Sequence, residues 1–538
     1  MTKSIYLVSL SFFVTPFALA ALPNDPLAAK VQEMNIGLGS EVQTLDLQKC
    51  TETGCSDVLG KLFEGLVQSD ENDIIKPAQA ESWKISADGK KYTFTLRKDI
   101  KWSDGTMITA HDFVYSLRRL VDPKVAAEHS YLFEGVVNGK DITQGKKPLE
   151  SLGVKAIDDH ILEITLKYPI AYFLEVLAMP NTFPVQKKSI EKYGEGSFTH
   201  VGNLVSNGPF VLNYRKNGDK ITLTKNNKYW NKENIYLEKV NYFPTEDLNA
   251  EYRMFLSGQL HKTLQVPVDL YKSIKVKNAR ELRTKPYLST YFYIFNLENP
   301  KFKDKNLRKA LSMVADRKII TDTVLGMGQK PLYDYIPYGM KNYTQNKPDW
   351  ADWSRKQQLE EAKKLYAAAG YSKEKPLKLQ ILYNTSESHK KIASTVASMW
   401  KKELGVEVET VNEEWKTMLD KRSVGQFEIM RMGNVATIND AYDFFTNLQS
   451  TNVSNDPKFK NSEYDKYFAL SEVELNPSKR KELQEQLGRI IIEEVPVITL
   501  YSGTTNYLLK ESVQGFKENV KNKYSLTGVY LREEKNKS

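Results

Sequence analysis

The stretch from Trp415 to Phe445 concentrates side chains that can recognise a charged or polar ligand. Its two arginines, Arg422 and Arg431, are suited to binding carboxylates because a guanidinium presents its donors as a planar fork. The pattern predicts a helix over Trp415–Lys421, a buried strand over Gln426–Met432, and then a loop. The loop residues are small or hydrogen-bond locally: Gly433, Asn434, Ala436, Thr437, Asn439 and Asp440. Both a ligand-binding loop and an ordinary solvated surface loop fit these residues.

The motifs of common enzyme classes are missing from the sequence. There is no GxSxG, HExxH or GxxxxGK[ST] pattern. Ser189–Lys192 matches SxxK, but the companion SDN and KTG elements are absent. We therefore expect no catalytic residues, no metal site and no cofactor. An exported hydrolase is the alternative to a ligand-binding protein, and the missing motifs disfavour it.

Composition limits the partners and sets the scale of the fold. The 538 residues include 76 Lys and Arg against 67 Asp and Glu, a net charge of +9. The lysines are interleaved with acids, and no arginine-rich arm, zinc finger or helical basic stripe is present, so we expect no nucleic acid partner. A chain of this length is too long for one core and predicts two or three domains.

The N-terminus has the pattern of a secretion signal. Lys3 precedes the mostly apolar run Ile5–Val14, and Phe17–Ala21 supplies the small residues that predict cleavage after Ala20. The residue directly after the cleavage site is Ala21 and not a cysteine, so we expect no lipoprotein. No later segment reaches eighteen uninterrupted apolar residues, a length on the order of one membrane span. We therefore predict an exported protein without a membrane span.

The cysteines, Cys50 and Cys55, lie close together in the segment CTETGC. In an oxidising compartment such a pair forms a short-loop disulfide. A metal or redox pair is the alternative, but the sequence has no CxxC spacing and its six histidines are scattered. We therefore predict a disulfide that stiffens a loop.

The positions of strand and helix patterns indicate a mixed α/β architecture. Phe210–Tyr214 and Ile221–Leu223 flank an Asn-Gly turn and predict a hairpin. In the C-terminal half, a strand over Leu377–Tyr383, an amphipathic helix over Lys391–Leu404 and a strand over Val406–Val411 follow one another. This alternation predicts an α/β lobe built on a mixed sheet.

Tyr92–Arg118, YTFTLRKDIKWSDGTMITAHDFVYSLR, resembles a signature of the extracytoplasmic solute-binding proteins of peptide ABC transporters. Five further stretches match the same family in order: LDLQ at 45–48, LFEGLV at 62–67, NGPF at 207–210, NKYW at 227–230 and LRKALSM at 307–313. Within the family, ILYNTSESHKK, VASMWKKELGV and EEWKTMLDKR are most similar to the oligopeptide-binding and murein tripeptide-binding proteins of Gram-negative bacteria.

The resemblance implies the two-lobed periplasmic binding protein fold, an α/β fold of type II in its large three-domain variant, with a hinge between the lobes. We expect a signal peptide at 1–20 and a first lobe from 21–66, 188–288 and 505–538. A small extra domain at 67–187 would pack on that lobe, and 289–504 would form the second lobe. The implied partners are a peptide or peptide-like ligand and an inner-membrane ABC permease with its ATPase subunits. We expect a monomer in the periplasm.

The resemblance also implies a set of ligand-binding residues. Positions that match the cleft wall are Trp415, Arg422, Arg431 and Gly433, and positions expected to line pockets are Tyr131, Phe292, His389 and Tyr501. Thr53, beside the cysteines, lies on a loop expected to touch the ligand backbone. Each of these residues can instead be scaffold.

The loop after Arg431 departs from the family pattern. Peptide binders of the family carry an Asp there that pairs with the peptide's α-ammonium, and Thr437 fills that position. Asn434 replaces a Trp, and a cysteine pair of the oligopeptide-binding relatives falls at Ser289 and Val435. Removing one partner of a buried ion pair costs on the order of 3–5 kcal/mol. Either Asp440 or Asp443 binds the amine instead, or the ligand has no free α-amine there.

The resemblance therefore implies a periplasmic binding protein that feeds a peptide importer and holds an extended guest largely by its main chain. The alternative is a protein of the same fold for a non-peptide or amine-blocked ligand, such as a muropeptide, a conjugate or haem.

Overall fold

The computed structural model describes residues 25–452 and 454–533. The predicted leader at 1–20 lies outside these ranges. In the part of the chain that is described, no helix has both the length and the apolar character that a membrane span needs.

The first sheet contains four strands, in the order Glu33–Gly39, Lys239–Pro244, Lys220–Lys225 and Phe210–Lys216. Its first two strands pair in parallel, and the other neighbours pair antiparallel. The predicted hairpin is confirmed, because Lys216 lies opposite Lys220 across the turn. Gly218 in this turn has a φ of 73°, a conformation that glycine adopts without strain.

The small sheet also has four strands, and all of its neighbours are antiparallel. Its order is Ala80–Ile85, Lys91–Leu96, Ile161–Thr165 and Val154–Ala156. Together the first and small sheets enclose one continuous apolar core, which extends from Met34 to Leu531 and includes Trp102 and Phe113. These two sheets and their helices therefore pack as one body.

The large sheet has six strands, and it is mixed as the sequence predicts. Its order is Lys330–Pro331, Val497–Leu508, Leu282–Phe295, Ile429–Val435, Lys378–Asn384 and Glu407–Glu413. The last three strands pair in parallel and the rest antiparallel. The strand predicted over Gln426–Met432 begins later and continues through Val435, so Gly433 and Asn434 lie on a strand and not in a loop.

Alternating residues of Leu282–Phe295 enter two different cores, because side chains of a strand point to opposite faces. Tyr291 and Tyr293 lie in a core with the helices Lys305–Val314 and Glu387–Leu404. Phe292 and Ile294 lie in the other core, with Met418 of the helix Trp415–Ser423, Phe468 of Ser462–Val473 and Leu487 of Pro477–Glu494. Helices therefore cover both faces of the large sheet.

Two long strands, Leu282–Phe295 and Val497–Leu508, connect the large sheet to the rest of the molecule. Leu282 lies opposite Leu508 and Ile294 opposite Val497, and the register shifts between Pro286 and Thr290. Beyond the shift, the Leu508 N–H donates to Thr263 Oγ1 at 2.9 Å, on the side of the first sheet. The irregularity therefore lies where the paired strands leave the large sheet.

The remaining α-helices range from 4 to 14 residues in length. The other α-helices are Thr53–Leu62, Ala110–Val121, Gly139–Thr143, Phe173–Leu177, Lys187–Tyr193, Leu248–Leu256, Tyr271–Lys277, Arg355–Ala368 and Tyr442–Phe445, with one π-helix at Ile319–Leu325. Two-stranded ladders join Val67–Ser69 to Ile75–Pro77, Val513–Gln514 to Tyr530–Leu531, and Lys517–Glu518 to Tyr524–Ser525.

Candidate functional site

A cavity of about 1120 Å³ lies between the large sheet and the body formed by the other two sheets. One wall comes from the first turns of the helix Thr53–Leu62 and from the C-terminal segment around Lys521–Thr527. The facing wall comes from the end of the strand Ile429–Val435, the residues that follow it, and Tyr501. Of the predicted site residues, Thr53, Thr437 and Tyr501 line the cavity.

The wall around Thr53 is held in place by covalent and polar contacts. Cys50 and Cys55 form the predicted disulfide, with their Cα atoms 6.0 Å apart. The buried Asn181 amide donates to the carbonyls of Leu47 and Cys50, at 2.8 and 2.9 Å. These contacts fix Thr51–Gly54, which face the cavity at the start of the helix. A short loop so constrained offers its backbone to a ligand at little entropic cost.

The facing wall presents a partly unpaired strand edge. On one side, Tyr291 pairs with Gly433 and Ser289 with Val435. On the other side, the strand Lys378–Asn384 is paired only as far as Met430. In the described chain no strand covers the edge from Met432 to Val435, and Val435 is 51% exposed. An extended ligand backbone can add to such an edge through main-chain hydrogen bonds.

The loop after this strand is organised around Asp443. The N–H groups of Thr437 and Ile438 both donate to Asp443 Oδ2, at 2.5 and 3.4 Å. Burial raises the pKa of Asp443 to about 6, because its effect is larger than the opposite effect of the two N–H donors. Asp443 therefore acts as an internal acceptor for the loop backbone and does not line the cavity.

Asp440 also points away from the cavity. It forms a two-pronged ion pair with Arg480, in which Arg480 Nη2 lies 2.9 Å from Asp440 Oδ1 and Nη1 contacts Oδ2. Asp440 Oδ1 accepts in addition from Gln484 Nε2 at 3.1 Å and from the Tyr442 N–H at 2.9 Å. Both oxygens are therefore engaged within the protein.

Glu175 is the carboxylate of the cavity wall that lies against this loop. Its Oε2 accepts from the backbone N–H of Asn439 at 2.7 Å. Lys521 Nζ lies 3.9 Å from Oε2, and Lys341 Nζ lies 4.0 Å from Oε1. The charge of Glu175 is thus opposed by two ammonium groups.

Four residues form an aromatic cluster beside the cavity: Arg431, His389, Tyr291 and Tyr501. The Arg431 guanidinium lies 4.7 Å from the centroid of the Tyr291 ring, which stacks on Tyr501 at 4.8 Å. His389 Nδ1 lies 3.3 Å from Tyr291 Oη. Burial and the nearby Arg431 charge lower the pKa of His389 to about 3, so its imidazole is neutral at pH 7. The structure brings these three predicted residues together around Tyr291.

Several predicted residues lie outside the cavity wall. Phe292 is 2% exposed and packs edge-on against Tyr335 in the core, and Asn434 donates to Tyr335 Oη at 2.7 Å. Arg422 Nε lies 3.7 Å from Asp456 Oδ1. Trp415 is 46% exposed at the start of its helix, and Tyr131 is 52% exposed on the turn Glu128–Phe133. Gly433 is exposed on its strand.

The structure adds wall residues that the sequence analysis did not select. They come from sequence-distant segments: Glu175, Lys262, Lys521, Lys523 and Tyr524. The segment KENVKNKY at 517–524 is rich in lysine, but a solvated surface turn has the same composition. Sequence spacing alone therefore gave no signal that these residues meet. In the two described ranges, no group of three or more His, Cys, Asp and Glu side chains is arranged to hold a metal ion.

Comparison with known proteins places this architecture in a family. The family model of bacterial extracellular solute-binding proteins, family 5 Middle, matches residues 75–456. The chain is 39% identical over 503 residues to the periplasmic oligopeptide-binding protein OppA of Escherichia coli, which covers 93% of this chain and 92% of that protein. It is 37% identical over 514 residues to the probable deoxycholate-binding periplasmic protein YgiS of the same organism, covering 95% of each.

Comparison with a solved structure supports the same family assignment. The murein tripeptide-binding protein MppA of Escherichia coli superposes with a TM-score of 0.82 at 36% identity, covering 94% of this chain and 100% of that chain. The chain thus belongs to the bacterial extracellular solute-binding proteins of family 5 and has their type II, two-lobed periplasmic binding protein fold.

Proposed function

We propose that this protein captures an extended peptide or peptide-like ligand between two closing lobes and delivers it to an inner-membrane ABC permease with its ATPase subunits. The observation that carries the proposal is the strand edge that is left unpaired beyond Met430: its last residue, Val435, lines the same cavity as Thr51–Gly54. Main-chain hydrogen bonds to both walls give affinity that depends little on the guest's side chains.

The arrangement of the sheets supports a division into three domains. The first lobe comprises residues 21–66, 188–288 and 505–538 and carries the first sheet. The extra domain, 67–187, carries the small sheet, and the second lobe, 289–504, carries most of the large sheet. The chain passes between the lobes along Leu282–Phe295 and Val497–Leu508, and the register shift there offers a hinge.

The ligand's terminus meets a pocket without the amine-binding carboxylate expected from the family resemblance. Thr437 stands at that position and lines the cavity, while Asp440 is held by Arg480 and Asp443 by the loop backbone. Neither aspartate has an oxygen in the cavity wall. We infer that the bound end of the ligand carries no free α-amine, as in an N-substituted or muropeptide-type ligand.

A non-peptide ligand is the second candidate. The relative YgiS, named a probable deoxycholate-binding protein, is almost as similar to this chain as the oligopeptide-binding OppA is. Loss of the amine-binding carboxylate is compatible with such a guest, which needs no partner for an ammonium group.

We also propose where the protein is located, its oligomeric state and its lack of enzymatic activity. The protein is exported to the periplasm after cleavage behind Ala20, is not a lipoprotein, acts as a monomer and has no enzymatic activity. N-terminal sequencing of the secreted protein tests the cleavage after Ala20. A peptidase assay on the purified protein tests the absence of enzymatic activity.

Native mass spectrometry of the protein purified from a periplasmic extract tests the proposed function. We expect a discrete peptide-like mass that co-purifies and is released on denaturation. Calorimetry with the ligand-stripped protein should then show that N-acetyl-Ala-Ala-Ala binds at least as tightly as Ala-Ala-Ala. A sterol-like mass would favour the second candidate, and the absence of any retained guest across peptides and cell-wall fragments would overturn both.

A further inference from the structure

The loop that follows the strand Ile429–Val435 is anchored in two different cores. Ala436 and Ala441, near its two ends, are buried in a core on one face of the large sheet. Ile438 lies between them, is 4% exposed and belongs to the core that the first and small sheets share. Thr437 stands directly before this crossing residue and lines the cavity. The place of Thr437 in the cavity wall therefore depends on contacts from both sides.

A stack of aromatic rings joins the same two cores. Tyr172 packs against the core of the first and small sheets, and Tyr442 packs against a core of the large sheet. Their ring centroids lie 4.7 Å apart with an interplanar angle of 26°, and Tyr442 stacks in turn on Phe468 at 5.3 Å. The Arg480 guanidinium lies 5.8 Å from the centroid of the Tyr172 ring. Stacked rings and cation–π contacts both stabilise such an interface.

Two further contacts cross the same boundary. The Asn439 N–H donates to Glu175 Oε2 at 2.7 Å. Leu475 approaches Gly89 so closely that a Cβ on this glycine would lie 2.6 Å from Leu475 Cδ1. The same Cβ would lie 3.1 Å from Pro169 Cβ, so Leu475 packs where these two residues leave room for it. Gly89, Pro169 and Glu175 all fall in the proposed extra domain, 67–187.

Most of these contacts lie away from the ligand cavity. Glu175 lines the cavity, whereas in the described structure Tyr172 and Leu475 are not part of its wall. A guest in the cavity therefore has no contact with these two side chains to lose. A substitution of Tyr172 or Leu475 that leaves the protein folded acts on the guest through the position of the loop.

We propose that Tyr172 and Glu175 of the extra domain are positioning residues for the ligand pocket, which hold the loop around Thr437 in the cavity wall from across the domain boundary. The proposal rests on the proposed function and gives the extra domain a part in ligand binding. The contacts exist while the two domains lie together, so they favour the arrangement in which the cavity is enclosed. Because apparent affinity scales with the fraction of molecules that are competent to bind, loosening the contacts weakens binding.

Hydrogen exchange of the ligand-stripped protein, followed at residue resolution, tests whether Tyr172 holds the loop. Tyr172→Ala should raise the exchange rate of the Asn439 N–H at least about fivefold, because the ring stack beside its acceptor is lost. Tyr172→Phe keeps the ring and should stay within about twofold of the wild-type rate. Tyr371→Ala is the matched control, since Tyr371 stacks on Tyr366 at the same angle of 26° within the second lobe, and it should leave the rate unchanged.

The same measurement tests Glu175. Glu175→Ala removes the acceptor of the Asn439 N–H and should raise its exchange rate at least about fivefold, whereas Glu175→Gln keeps an acceptor oxygen and should stay within about twofold. The Thr437 N–H is the internal reference, because its acceptor, Asp443, belongs to the same lobe. Its exchange rate should change less than that of the Asn439 N–H.

Calorimetry with the co-purified guest tests whether the held loop supports binding. Tyr172→Ala should weaken binding at least about fivefold, and Tyr172→Phe and Tyr371→Ala should bind within about twofold of the wild-type protein. Leu475→Ser changes a residue that is 42% exposed, and it keeps the proposal testable if Tyr172→Ala fails to fold. We expect it to shift both the exchange rate and the affinity in the same directions, by at least about threefold.

An unchanged exchange rate of the Asn439 N–H in both Tyr172→Ala and Leu475→Ser overturns the proposal and leaves ligand capture intact. Faster exchange with an unchanged affinity also overturns it, because the loop would then be held without any effect on the guest. If the wild-type protein binds no guest, the proposed function fails. The exchange rates alone then support or overturn the holding of the loop by the extra domain.

Discussion

At the scale of the residue, the decisive feature is the side chain at position 437. Thr437 lines the cavity, but its hydroxyl cannot neutralise an ammonium. The neighbouring aspartates do not compensate, since Asp440 is paired with Arg480 and Asp443 accepts from two backbone N–H groups. The proposed absence of a free amine at this end of the ligand therefore depends on one residue, Thr437.

Restoring the carboxylate should restore recognition of a free amine. In Thr437→Asp we expect Ala-Ala-Ala to bind at least about tenfold more tightly relative to N-acetyl-Ala-Ala-Ala than it does in the wild-type protein, because a new ion pair forms in a partly buried site. Calorimetry at pH 7 measures both affinities. Thr437→Asn, of the same size without charge, should behave like the wild-type protein, and an unchanged ratio in Thr437→Asp would show that the terminus lies elsewhere.

At the scale of the element, the loop between Val435 and Tyr442 links the two lobes. Ile438 is buried in the core that the first and small sheets share, although the chain reaches it from the large sheet. Asn439 donates its N–H to Glu175, and Tyr442 stacks on Tyr172 with ring centroids 4.7 Å apart. The loop therefore has its shape set by contacts on both sides of the cavity.

The ion pair of Asp440 with Arg480 should be important for stability. Asp440→Asn leaves the buried Arg480 guanidinium without its counter-charge, and we expect a loss of about 3 kcal/mol in the free energy of unfolding. Urea denaturation followed by fluorescence measures this change. Asp352→Asn breaks an exposed pair with Lys347 and should cost less than about 1 kcal/mol. Similar losses in the two variants would mean that the Arg480 pair contributes no more than a surface pair.

At the scale of the whole molecule, two lobes are connected by two paired strands. The register of Leu282–Phe295 and Val497–Leu508 is interrupted between Pro286 and Thr290, at the exit from the large sheet. We expect a small rotation there to change the width of the cavity. This arrangement suits a protein that encloses its guest.

Small-angle scattering should detect this closure. We expect the protein with its co-purified guest to have a smaller radius of gyration than the ligand-stripped protein, because the lobes rotate toward each other. A concentration series separates closure from association. Identical curves before and after stripping, with calorimetry showing that the guest rebinds, would mean that binding occurs without lobe closure.

Several local structural features and the family of this protein can be predicted from short stretches of its sequence. The Asn-Gly hairpin and the disulfide of Cys50 with Cys55 depend on residues close together in the chain, and each is confirmed. The resemblance carried by Tyr92–Arg118 predicted the family, which the comparisons confirm. Local hydrogen bonds and turn conformations are determined over a few residues, so a single segment carries their signal.

The tertiary structure decided what the wall of the cavity contains. The strand that ends at Val435 continues past its apolar run because the strand Leu282–Phe295 pairs with Gly433 and Asn434. Asp440 does not line the cavity, and both of its oxygens contact Arg480, which lies forty residues away in the sequence. The lysines of the first lobe meet from three separate segments. Contacts of this kind depend on packing between distant segments, which spacing along one sequence does not encode.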